Sequence, residues 1–140
     1  QVLQFALCSE RIIDEKHTIL YTGTHDNNTL IGWLQGLYHS DLERYRQVCC
    51  QTGADETVNV RELAGCCIEF AFSRQADTVI LPLQDILLLG AETRMNTPGK
   101  AEGNWGWRVS KSDLTQDIAQ EITDMVNRYG RAAHAIKKSG

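Results

Sequence analysis

The stretch Tyr21-Thr22-Gly23-Thr24-His25-Asp26-Asn27-Asn28 decides how this chain is read. Before it, Thr18-Ile19-Leu20-Tyr21 is a short apolar run of the kind that forms a buried strand. After it, Leu30, Trp33, Leu34 and Leu37 fall at helical spacing. The small and polar residues between them present a His-Asp pair at a strand-to-helix turn. In parallel α/β architectures catalytic groups gather at that point, because the strand C-termini converge on one face. The competing reading is local. Asp26, Asn27, Asn28 and Thr29 are all good N-cap residues, so the cluster also serves as a helix start. His25 favours the active site, since a histidine adds nothing to a cap yet can donate to a sugar hydroxyl.

Working outward, strand-like and helical patterns alternate. Residues 2–7 form a continuous apolar run, expected as a strand buried on both faces. Residues 17–24 are the second expected strand, paired through 17–21, and residues 77–83 the third, paired through 78–81. Helices are expected from Asn28 or Thr29 to about Leu37, over 41–51, and over 58–73 with Leu63, Cys66, Cys67, Phe70 and Ala71 facing inward. Gln84-Asp85 is read as opening a short apolar helical turn that reaches Leu89. Asp113 and Gln116 fit a capping box for a last helix whose stripe is Leu114, Ile118, Ile122, Met125, Val126 and Tyr129. Gly130 interrupts that helix, and Lys137-Lys138 lie in its basic tail.

Strands alternating with helices imply crossover connections and a parallel sheet, hence an α/β fold. The expected order of strands is that of the sequence, with the helices between 29 and 73 on one face and the last helix beside the third strand. Three strands are few for such a sheet, so the first is expected to leave an open edge. The chain opens at Gln1 directly on the apolar run, which creates the expectation of a segment of a longer protein.

Composition narrows the function classes. A hydrophobic content of 42% with 23% charged residues is that of an ordinary globular protein. The net charge of −4 leaves no basic stripe to neutralise phosphates, which argues against nucleic acid. No apolar run has the length of a membrane span. Cys8, Cys49, Cys50, Cys66 and Cys67 include two vicinal pairs without the spacing that turns two sulfurs toward one ion. They are expected to be small hydrophobes on helices, reduced in a cytosol, and the protein is expected to be cytoplasmic. His17, His39 and His134 have no partner at ligand spacing, and Trp33, Tyr38 and Tyr45 are expected to pack. Glu10, Asp14 and Glu15 lie in a charged connection and read as surface.

Residues 90–110 show no periodicity and hold four of the eleven glycines and one of the two prolines. A loop of that length is usually functional. Trp105 and Trp107 would point the same way in an extended segment, either against pyranose rings or into the core. Arg94, Asn96, Asn104 and Arg108 can hydrogen-bond hydroxyls. An acid beside a histidine, with a loop of tryptophans, Asn and Arg, is equipment for gripping a sugar. Glycosidic cleavage needs two carboxyl groups flanking the bond, and only Asp26 sits at a convincing strand end.

The motifs resemble a known family. Tyr21-Thr22-Gly23-Thr24-His25-Asp26-Asn27 followed by Gly32-Trp33 is similar to the signature of the amylomaltases, the 4-α-glucanotransferases of glycoside hydrolase family 77. Leu83-Gln84-Asp85, then Leu89-Gly90-Ala91-Glu92-Thr93-Arg94-Met95-Asn96-Thr97-Pro98-Gly99, then Gly103-Asn104-Trp105-Gly106-Trp107-Arg108 resemble its C-terminal motifs in the same order. Val2-Leu3-Gln4-Phe5-Ala6 is similar to its sixth barrel strand. Family members often carry a longer, proline-containing segment where residues 8–16 are short and lack Pro.

The resemblance implies a (β/α)₈ barrel of the α-amylase type, of which residues 1–140 supply strands six to eight as the C-terminal segment of one catalytic domain. It implies that the nucleophilic Asp and the acid/base Glu lie upstream, and that the isolated fragment is inactive. Asp26 would be the third carboxylate, stabilising the transition state, with His25 on the same sugar. Asn96 and its loop, with Arg94 and Trp105, would bind substrate. The implied partners are α-1,4-glucans, that is maltooligosaccharides with glucose as acceptor, and neither metal nor organic cofactor is implied. A hydrolase of the same clan and a non-catalytic sugar-binding or interaction domain are the rival expectations.

Overall fold

The computed structural model describes residues 1–7, 9 and 16–132. Cys8, Glu10, Asp14, Glu15, His134, Lys137 and Lys138 therefore lie outside the described residues.

The second and third expected strands pair as expected. β1 (Ile19–Tyr21) and β2 (Thr78–Ile80) run parallel, with Leu20 opposite Val79. Pairing extends past both ends: Asp77 N–H donates to Thr18 O at 3.1 Å, and Thr22 N–H to Ile80 O at 3.2 Å. Alternation along the ribbon turns Leu20 into the core while Ile19 and Ile80 stay exposed. Only one face is covered.

The first expected strand is corrected. Val2 makes a single parallel bridge to Tyr21, on the edge of β1 away from β2, and the chain then turns into α1 (Leu3–Ala6). An unbroken apolar run has no period of its own, so pairing and packing choose its conformation. Here a helical turn buries Leu3, Gln4 and Leu7 while leaving Phe5 67% exposed. It also brings the Gln4 amide within 2.9 Å of Asn28 O, a contact tied to the turn after β1.

α2 (Leu30–Ser40), α3 (Leu42–Thr52) and α4 (Val60–Ser73) follow in sequence and pack on one another. Each has its own start signal. Thr29, Asp41 and Asn59 accept from backbone N–H groups of their first turns, and Asn59 with Glu62 forms a capping box. Gly53, at φ +72°, ends α3 in the left-handed conformation that glycine enters without penalty. Leu30, Leu34, Val48, Cys49, Leu63 and Cys67 form the core between them. Cys66 and Phe70, expected on the inner face of α4, are only half-buried, and Ala64, Ile68 and Phe72 share the buried face. Burial raises the thiol pKa of Cys49 and of Cys66. Tyr45 is buried, Trp33 half-buried, and Tyr38 exposed in a T-shaped ring contact with Tyr45.

After β2 comes α5 (Leu83–Ile86), then a long loop whose regular parts are the 3₁₀ turns Ala91–Thr93 and Lys111–Asp113. α6 (Gln116–Arg128) differs from expectation in two respects. Thr115 caps it, and Asp113 instead closes a capping box with Ser110. It packs on α4 through Met125, Val126 and Tyr129, whereas Leu114 is exposed and Ile118 and Ile122 are half-buried. Arg128 pairs with Glu69 at 2.7 Å, and the Arg131 guanidinium holds the carbonyls of Phe72, Arg74 and Ala76 ahead of β2. Among the described residues, no helix is long and apolar enough to cross a membrane.

Candidate active site

Parallel pairing puts the C-terminal ends of β1 and β2 at one end of the ribbon, so the segments that follow each strand meet there. The turn after β1 is built from its own side chains. Asn27 Oδ1 accepts from Thr24 N–H at 2.9 Å and from the Thr24 hydroxyl at 2.7 Å. Asn28 Oδ1 accepts from Thr29 N–H at 2.9 Å, and the Thr29 hydroxyl oxygen accepts from Gly32 N–H at 3.1 Å. Three of the four cap-type residues are thereby occupied locally. Asp26 is not, and its side chain is 53% exposed at the end of the ribbon.

Gly23 sits at a close approach: a Cβ there would lie 2.9 Å from the Gln4 amide nitrogen. The small residue is what allows α1 to reach Asn28 O.

The loop after α5 comes over this turn. Asn96 Nδ2 donates to Asp26 Oδ1 at 2.6 Å, and Asn96 N–H donates to His25 O at 3.1 Å. Arg94 donates through Nη2 to Asp26 O at 2.6 Å and through Nε to Asn96 O at 2.7 Å. Arg94, expected as a donor to sugar hydroxyls, thus clamps two backbone carbonyls and locks one segment to the other. His25 Nε2 lies 3.5 Å from Asp26 Oδ1, so the imidazole and the amide both face the same carboxylate oxygen.

The far part of the loop folds back. Asn104 Oδ1 accepts from Thr97 N–H at 2.8 Å and its amide donates to Lys100 O at 2.8 Å. Arg108 donates to the carbonyls of Trp105 and Trp107. Trp105 has φ +60° and donates its N–H to Met95 O at 2.6 Å. The segment is therefore not extended at Trp105, and the spacing argument for a shared direction with Trp107 lapses. Trp105 is 51% exposed with its ring centroid 5.2 Å from that of His25, while Trp107 is half-buried. A half-exposed tryptophan in a left-handed conformation is held there by its surroundings, not by its own preference.

Asp26, His25, Arg94, Asn96 and Trp105 are thus brought into one cluster, whereas Asn104 and Arg108 serve the loop itself. Sequence reasoning gave no role at the site to three residues that build this end of the molecule. Gln4 holds Asn28 O, Gln84 donates to Thr93 O at 3.2 Å, and Asp85 accepts from Thr22 Oγ1 at 2.6 Å and from Leu30 N–H at 2.7 Å. All three are buried, and the signal was available: each is a polar residue lodged in an otherwise apolar run. Burial raises the Asp85 pKa, against the lowering effect of the Leu30 N–H and the Thr22 hydroxyl. A cavity of about 120 Å³ opens beside His25, lined also by Thr24, Gln84, Asp85, Arg94 and Met95. No group of metal-ligating side chains occurs among the described residues.

Comparison with known proteins identifies the family. The family model for 4-alpha-glucanotransferase matches residues 1–115. The chain is 37% identical over 120 residues to the chloroplastic/amyloplastic 4-alpha-glucanotransferase of Arabidopsis thaliana, covering 84% of this chain and 20% of that protein. It is 36% identical over 141 residues to the 4-alpha-glucanotransferase of Synechocystis sp., covering 94% of this chain and 26% of that one. The amylomaltase from Streptococcus agalactiae, solved in complex with acarbose, superposes with a TM-score of 0.78 at 26% identity, over 93% of this chain and 26% of its own. The chain thus spans about a quarter or less of the length of these relatives. The matched residues include both strands, the turn bearing His25 and Asp26, and the whole loop that closes over it, and by that match the chain belongs to glycoside hydrolase family 77, the 4-alpha-glucanotransferases.

Proposed function

We propose that this chain is the C-terminal part of a single catalytic (β/α)₈ barrel of the α-amylase type, contributing strands six to eight to a 4-α-glucanotransferase. The observation that carries the reading is the Asn96–Asp26 hydrogen bond of 2.6 Å, with His25 facing the same oxygen and Trp105 over the His25 ring. A carboxylate fixed before substrate arrives can stabilise charge that develops only in the transition state.

In this reading the whole enzyme cleaves an α-1,4 bond and holds the donor glucan as a covalent glycosyl-enzyme. It then passes the glucan to the 4-hydroxyl of an acceptor glucan or glucose, with retention. The nucleophilic Asp and the acid/base Glu come from preceding strands of the same barrel. Asp26 contacts the sugar at the cleavage point and stabilises its oxocarbenium-like transition state. His25 hydrogen-bonds the same sugar, Trp105 offers its exposed face to a pyranose ring, and Asn96 lines the acceptor side. Arg94 holds the two loops in register. The enzyme is placed in the cytoplasm, which cell fractionation tests.

The experiment is incubation of the full-length protein, and separately of residues 1–140, with maltotriose. Glucose together with dextrins longer than the substrate is expected from the full-length protein and not from the fragment. Glucose and maltose alone would replace transfer by hydrolysis. Binding without turnover would make this a sugar-binding module.

A further inference from the structure

Asp85 lies on α5, shortly after β2, and is 1% exposed. Its two carboxylate oxygens serve two different segments. Oδ2 accepts from the hydroxyl of Thr22, the residue that follows β1, and Oδ1 accepts from the N–H of Leu30, the first residue of α2. Between Thr22 and Leu30 runs the turn that carries His25 and Asp26. One buried group therefore closes the base of that turn.

A helix start alone does not account for this. α2 already has its own cap, the Thr29 side chain accepting from Gly32 N–H. The Leu30 N–H could be met by water or by a neutral acceptor, and a buried carboxylate is an expensive choice for either bond. What the carboxylate adds is two strong acceptors in a fixed plane, each able to take a charge-assisted bond. The positive end of the α2 dipole favours the anion there. Gln84, its neighbour, holds Thr93 O ahead of Arg94 in the same way. Consecutive side chains of α5 thus brace the two loops that meet at Asp26.

We propose that Asp85 is a positioning residue for the site: by holding Thr22 and Leu30 on the two oxygens of one carboxylate, it fixes both ends of the 23–29 turn and so sets where His25 and Asp26 stand. It touches no substrate and acts through Asp26. Its effect on catalysis rests on the glucanotransferase reading above. Its effect on the turn does not.

The test uses the full-length protein carrying Asp85→Ala or Asp85→Asn, with two readouts: kcat and KM on maltotriose, and amide hydrogen exchange across 23–29. Asparagine can keep both bonds, accepting from Leu30 N–H through its oxygen and donating to Thr22 Oγ1 through its nitrogen. Asp85→Ala is expected to speed exchange across 23–29 and to lower kcat by about tenfold or more with KM little changed, the effect of a misplaced catalytic group. Asp85→Asn is expected to return both readouts close to wild type. The proposal is overturned if Asp85→Ala leaves exchange unchanged, or if asparagine fails to restore it. Should Asp85→Ala not fold, Thr22→Val removes one of the two bonds, and unchanged exchange there overturns the proposal equally. If the wild-type protein transfers no glucan, the functional reading falls, and the exchange data alone decide the positioning role.

Discussion

The Asn96 amide donates to the Asp26 carboxylate at 2.6 Å across seventy residues of chain. The same carboxylate oxygen also faces His25 Nε2 of its own segment at 3.5 Å. The bond exists because parallel strands deliver the residues that follow β1 and β2 to the same end of the ribbon. It gives the Asp26 carboxylate a fixed orientation.

Asp26→Asn in the full-length enzyme should lower turnover by about a hundredfold or more, the size seen when a preorganised electrostatic contact is lost. Apparent affinity for maltotriose should change little, because in the proposed role the contact strengthens in the transition state. Steady-state kinetics decide it. A variant changed only in KM would return Asp26 to a structural role.

Asn96→Ala leaves the carboxylate in place but removes its donor. Loss of a preorganised hydrogen-bond partner of a catalytic group acts on the chemical step, so kcat should fall by about tenfold or more. Because both groups are partly solvent-accessible, the melting temperature should hardly move. A large loss of stability with normal kcat would mean that the bond serves folding rather than chemistry.

Much of this site was legible because its chemistry is local. A strand-sized apolar run, a cluster of Thr, Asn and Asp, and helical spacing from Leu30 together place His25 and Asp26 at a strand end from the sequence alone. The loop holding Arg94, Asn96 and Trp105 stood out by its lack of period. What escaped were the roles that depend on a partner far along the chain. Arg94 had the look of a ligand donor, yet it binds the carbonyls of Asp26 and Asn96. Asp85 had the look of a helix start, yet its oxygens reach residues 63 and 55 positions away. Residues 2–7 were misread for a different reason. An apolar run without alternation fits strand or helix, and the need to bury Leu3, Gln4 and Leu7 on one side favoured a turn of helix.

The raised pKa of Asp85 predicts a pH dependence of stability with a definite sign. The folded protein holds the proton more tightly than the unfolded chain, whose value is near 3.8. This group's contribution is therefore fully present below that value and is lost as pH rises through the folded pKa. Asp85→Asn removes the titration. The melting temperature of the variant minus that of the wild type should grow more positive as pH rises from about 4 through the folded pKa, following the linkage slope. A difference that is flat or falls with pH would show that the carboxylate is better solvated than its burial implies.

Two glycines of α2 should respond in opposite ways to the same substitution. A Cβ on Gly32 would lie 2.6 Å from Asn28 Oδ1 and 2.8 Å from Ala91 Cβ, where the helix meets the loop after α5. Gly32→Ala should destabilise by about 1–3 kcal/mol through overpacking. Gly36 has open space around it, so Gly36→Ala should stabilise by about 1 kcal/mol, the ordinary helix propensity gain. Urea unfolding of both variants checks the pair. Equal effects would mean that the approach of α2 to Ala91 is looser than described.

Trp105 sets stability against binding. Its backbone sits at φ +60°, a conformation that disfavours every residue with a Cβ, and half of its side chain faces solvent beside His25. Neither feature helps folding, which fits the proposed role of its exposed face against a pyranose ring. Glycine at this position enters the left-handed region freely and keeps the N–H that donates to Met95 O. Trp105→Gly should therefore leave the melting temperature of the full-length enzyme unchanged or raised, while the affinity for maltooligosaccharides weakens by about three- to tenfold, the scale of one aromatic contact. Trp105→Phe should recover most of the affinity and none of the gain in stability. The measurement is calorimetric titration with a maltooligosaccharide alongside thermal melts of the three proteins. If the glycine variant binds as tightly as wild type, the exposed ring has no sugar to meet. A marked drop in its melting temperature would instead show that Trp105 holds the loop, and that the left-handed turn is a by-product of packing.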